Sequence, residues 1–94
     1  MTWTETEYRA YLAEERRLYA WVLCRYGDRT PEEARAAALG RYPYEPAEAP
    51  LRGLVFHDEA WHWAMLTLHG EGYWRRHPEL ADPPAAYREL ADEA

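Results

Sequence analysis

The stretch TETEYRAYLAEERRLYAWVLCRYG, residues 4–27, decides the fold. Thr4 stands three residues before Glu7, the spacing at which a threonine and a glutamate satisfy each other's free backbone N–H groups at a helix start. Behind that start Tyr8, Tyr11, Leu12, Leu18, Tyr19, Val22 and Tyr26 recur at the spacing that places them along one side of a helix. Glu5 with Arg9, and Glu14 with Arg17, sit where ion pairs along a helix add modest support. Gly27 is the expected stop. The pattern predicts one long amphipathic helix.

Working outward, Thr30-Pro31-Glu32-Glu33 repeats the start signal, with proline in the first helical position and Glu33 completing the second capping box. The alanine-rich run 34–39 follows, and Gly40 is expected to end a short helix whose alanine face packs closely on a neighbour. Residues 41–50 contain three prolines, which forbid a helix and predict an extended strap with Tyr42 and Tyr44 packed on the core. A third helix is expected from near Pro50 to about His69. Its apolar residues Leu54, Val55, Phe56, Trp61, Trp63, Met65, Leu66 and Leu68 surround most of its circumference, the mark of a central helix. A further turn or two over residues 71–77, and a last helix opened by Asp82-Pro83-Pro84 and running through Leu90, complete the reading. No segment alternates as a strand does. The expectation is an all-α domain spanning residues 1–94, with three to five helices and a proline-rich crossover between the second and third.

Composition narrows the class of partner. With 17 acidic residues against 11 basic ones the chain carries a net charge of −6, too little positive charge to neutralise a phosphate backbone, so nucleic acid is not an expected partner. The apolar runs are too short to span a bilayer, and no membrane is expected either. Cys24 is the single cysteine, which rules out an internal disulfide. With no basic start or apolar leader, the expectation is a cytoplasmic protein with a packed thiol. Five Trp, eight Tyr and one Phe exceed what one small core was expected to hide, and such rings are enriched where proteins meet.

Two features break the apolar pattern. Glu15 lies on the buried stripe of the first helix, where a carboxylate must find partners or lose its charge. The run His57-Asp58-Glu59-Ala60-Trp61-His62 places four titratable groups inside the most hydrophobic helix. His57 and His62, about 140° apart around a helix, cannot grip one ion. Glu59 and His62, three apart, share a face, as do Asp58 and His62.

Glu-x-x-His on one helix with a Glu from another resembles half of the ferritin-like di-metal arrangement, here Glu59, His62 and Glu15. The resemblance implies iron, manganese or zinc held by Glu15, Glu59 and His62, with Asp58 as a substitute ligand. Two such halves would have to meet across a homodimer. The favoured reading needs no cofactor. It is a protein-interaction module that associates with itself or with another protein through Trp61, Trp63, Trp74, Tyr42 and Tyr44, and it is not expected to be an enzyme.

Overall fold

A computed structural model describes residues 3–93; Met1, Thr2 and Ala94, the ends of the expected domain, lie outside them. The chain forms α1 (Glu5–Gly27), α2 (Pro31–Arg41), α3 (Ala60–His69), α4 (Tyr73–Arg76) and α5 (Ala85–Asp92). Single 3₁₀ turns stand at Leu54–His57 and Pro78–Leu80, and no strand occurs among the described residues. The fold is all-α, as the periodicity requires.

Both capping boxes form. Thr4 Oγ1 accepts the Glu7 N–H at 3.1 Å while Glu7 Oε1 accepts the Thr4 N–H at 3.0 Å. Thr30 and Glu33 repeat this at 3.1 and 2.9 Å. The far end of α1 differs from expectation. The helix runs through Gly27, and Asp28 takes the left-handed conformation (φ 53°), its N–H returning to the Leu23 carbonyl. Aspartate tolerates this conformation better than most side chains. Gly27 serves another purpose: a methyl group there would overlap the Leu68 side chain, so its absence lets α3 approach α1.

Helix α1 is the axis of the molecule, packing against α2, α3 and α5. Tyr8, Leu12, Leu18, Tyr19, Val22 and Leu23 form its buried stripe, met by Ala34 and Ala38 of α2, Ala60, Trp61, Ala64 and Met65 of α3, and Tyr42, Tyr73 and Tyr87. The central position expected of the third helix therefore belongs to the first. The long third helix itself is broken. Gly53 adopts positive φ (82°), and Asp58 and Glu59 are extended, so α3 starts only at Ala60. At the break the Val55 carbonyl accepts the Trp63 indole N–H at 2.9 Å, which ties the 3₁₀ turn to α3. The break turns Phe56 toward the rings of Tyr8, Tyr11 and Tyr42.

The strap between α2 and the first 3₁₀ turn is non-helical and held by polar contacts. Arg16 donates twice to the Tyr42 carbonyl, at 2.9 and 2.6 Å. The Glu45 N–H reaches the Tyr8 hydroxyl at 2.9 Å. Arg52 stacks over the Tyr8 ring at 3.7 Å and pairs with Glu5 at 2.7 Å. Tyr42 is fully buried; Tyr44 stays exposed, its hydroxyl bonded to Glu5. Among the described residues no helix is long and apolar enough to cross a membrane.

A double-mutant cycle tests the role given to Gly27. Gly27→Ala is expected to lower stability by roughly 1 kcal/mol, the overpacking cost exceeding the gain in helix propensity. In a Leu68→Ala background the loss should vanish, as read from urea unfolding of the four proteins.

Candidate functional site

Three places collect functional groups. The first surrounds Glu15, which is only 7% exposed on the buried stripe of α1. No hydrogen bond to this carboxyl is present among the described residues, and burial, with the charges of Glu14 and Glu59 behind it, lifts its pKa to about 7. The neighbouring phenols respond in turn. Burial pushes the Tyr42 hydroxyl well above its ordinary range and the Tyr87 hydroxyl to about 12, the Glu15 charge adding to both. The Tyr42 hydroxyl is buried without a hydrogen-bond partner. Glu15 is thus held by α1 in a phenol-lined interior closed by the strap and α5. That surrounding favours the neutral acid.

The second place is a polar cleft of about 280 Å³ lined by His57, Asp58, Glu59, Trp61, His62, Tyr73, Ala81 and Pro83. His62 Nδ1 lies 2.9 Å from the Tyr73 hydroxyl, and its ring packs on Trp63, Tyr73 and Trp74. Glu59 caps α3 from outside the helix body and pairs with Arg88 at 2.6 Å. The break before α3 therefore removes the continuous helix on which Glu59 and His62 were expected to share a face. Glu15 and Glu59 are close enough to repel each other, but His62 is turned to Tyr73. Among the described residues no three His, Cys, Asp or Glu side chains gather closely enough to hold a metal ion. His57 and Asp58 are exposed at the cleft mouth.

The aromatic residues expected at an interface divide. Trp61 and Tyr42 are core side chains and offer no surface; the Trp61 indole N–H is tied to the Leu80 carbonyl at 2.9 Å. Trp63 is half-buried, its ring covered by the Arg41 guanidinium at 3.7 Å. Trp74 and Tyr44 remain exposed. One chain hides most of the rings whose number suggested a second.

The third place escaped the sequence reading. A groove of about 400 Å³ runs between α1 and α2, lined by Ala13, Arg16, Arg17, Ala20, Trp21 and Cys24 from the first helix and by Pro31, Ala34, Arg35, Ala38 and Leu39 from the second. The six α1 residues fall at i, i+3, i+4, i+7, i+8 and i+11, a helical face opposite in character to the large-residue stripe. That spacing was legible. It went unread because alanines and arginines look like ordinary solvated surface. The short connection of residues 28–30 folds α2 back along α1, which brings the two small-residue faces together.

No protein-family model, curated protein or solved structure matches this chain.

Glu15 should leave a signature in the pH dependence of stability. Its folded pKa of about 7 lies above the ordinary value of 4.5, so the folded chain keeps a proton that the unfolded chain releases between these limits. Stability contributed by this group is present below pH 4.5 and falls as pH rises toward 7. Glu15→Gln is expected to match the parent near pH 5 and to exceed it at pH 8 by about 2 kcal/mol, less than full linkage because solvent reaches the carboxyl edge. Thermal unfolding of both proteins across that range reads the difference.

Proposed function

We propose that this chain is a protein-interaction module whose partner lies in the groove between α1 and α2. The groove is the observation that carries the reading. Ala13 and Ala20 lie along it, its walls include the exposed Leu39 and the half-buried Trp21, and no element among the described residues covers it. Apolar surface of this kind, left open on a small protein, is what a second chain removes from water. The reducing compartment suggested by a lone cysteine, the cytoplasm, suits such a module, because Cys24 itself lines the groove.

A second reading, self-association, has separate support on another face. Leu51 is 74% exposed and Leu54 59% exposed, beside an opening of about 600 Å³ lined by Trp3, Tyr11 and Phe56. Leu51 also holds positive φ (61°), a conformation that costs a branched side chain on the order of 1 kcal/mol. A projecting leucine next to an aromatic hollow suits a two-fold contact in which each copy fills the other's opening.

Two experiments separate these readings. A photo-crosslinking amino acid at position 39 should give discrete protein adducts in cells, which Ala13→Glu abolishes, while the same group at position 48 on the strap gives none. Equal adducts from both positions, or none from position 39, would count against the groove. Sedimentation velocity is expected to show a dimer that Leu51→Asp with Leu54→Asp converts to monomer; an unchanged mass distribution would remove the self-association reading.

A further inference from the structure

Resting on the groove as the binding site, we infer that its occupant is an acidic amphipathic helix supplied by another protein. Charge is the first argument. The groove lining holds three arginines and not one carboxylate, in a chain where acidic residues outnumber basic ones by 17 to 11. Arg17 is partly neutralised by Glu14 at 2.5 Å. Arg16 is bonded only to a neutral carbonyl, and Arg35 makes no ion pair among the described residues. An acidic partner is therefore repelled by most of this protein and attracted here, which fixes where it docks.

Backbone chemistry argues for a helix. Both walls are helices whose own N–H and C=O groups are already bonded, so they offer no ladder to an extended peptide. A strand laid in this groove would lose water from its backbone and gain no partner, whereas a helix satisfies its backbone internally. The small side chains of Ala13, exposed, and Ala20, half-buried, let a third axis come close to α1. From Ala13 to Cys24 the α1 wall is about 16 Å long, enough for three helical turns. The groove is an open trough, so its occupant keeps one side in water. That suits the polar face of an amphipathic helix better than a small ligand, most of whose surface must be enclosed.

A second copy of this chain fits poorly. Helix α2 turns Glu32, Glu33 and Ala36 outward and has its exposed Leu39 in the groove wall itself, and the exposed positions of α5 include Arg88, Glu89 and Asp92; neither offers a second copy an apolar ridge between acidic flanks.

The test uses a displayed library of helical peptides of about 14 residues, three to four turns, with a fixed Ala/Leu face and flanks randomised among Glu, Lys and Gln. It is selected on the full chain and counter-selected on Ala13→Glu. Flanks enriched in Glu are expected. A synthesised winner should slow alkylation of Cys24, lose roughly tenfold in affinity on Arg35→Glu, and weaken with salt. Circular dichroism confirms that the variants, both at exposed positions, keep their helices. If the winners carry Lys or Gln flanks, the acidic partner is wrong while the groove reading stands. If no peptide distinguishes the parent from Ala13→Glu, both fail. If decanoate protects Cys24 and no helix does, the groove serves an anionic lipid chain and the inference is overturned.

Discussion

Every part of this fold leans on one side of α1. The helix is long and well capped, and its large side chains lie on the stripe that α3, α5 and the strap cover together. Because most of the aromatic and aliphatic bulk is gathered there, the adjoining face is left with alanines, arginines, one cysteine and Trp21. Helix α2 packs its own alanines beside that face without covering it. The core and the groove are thus two results of one arrangement of side-chain size around a single helix.

The same stripe contains the fold's main electrostatic cost. Glu15 sits where an apolar residue would pack, surrounded by phenols and by the like charges of Glu14 and Glu59. Burial without a partner favours the neutral acid, so the interior is quiet at mildly acidic pH and strained at higher pH. Among the described residues no ion pair relieves this: Arg88 is taken by Glu59 and Arg52 by Glu5. The carboxyl is tolerated because Tyr8, Trp61, Met65 and their neighbours bury enough apolar area to hold the fold against it.

Local signals carried most of the fold. Both capping boxes, the Glu5–Arg9 and Glu14–Arg17 pairs and the proline-rich strap follow from residues close in sequence, and each stands in the structure where its chemistry requires. What failed depended on side-chain contacts that reach beyond one helical turn. The apolar run 54–68 reads as one helix, because its composition does not show that Asp58 and Glu59 are extended and that the Trp63 indole folds back to the Val55 carbonyl. Gly27 reads as a stop because Leu68, which needs the space, is 41 positions away. Trp61 reads as an interface ring because a count of rings says nothing of how many cover one another, whereas Tyr42, also counted among the interface rings, packs on the core as the strap requires and Tyr44 does not. The groove was missed for the opposite reason: its residues are small or charged, and their meaning appears only when α2 lies alongside.

The central claim is that an acidic protein holds an open, positively charged groove, and Cys24 reports on it directly. We would measure the rates at which a negatively charged and a positively charged methanethiosulfonate modify this thiol, each relative to its rate with an unstructured cysteine peptide. The account predicts that the anionic reagent is favoured, and that Arg35→Glu and added salt remove the preference. Preference for the cationic reagent would mean that the net charge of −6 governs the groove, and a thiol unreactive to both would mean that the groove is closed. Either result would contradict the account.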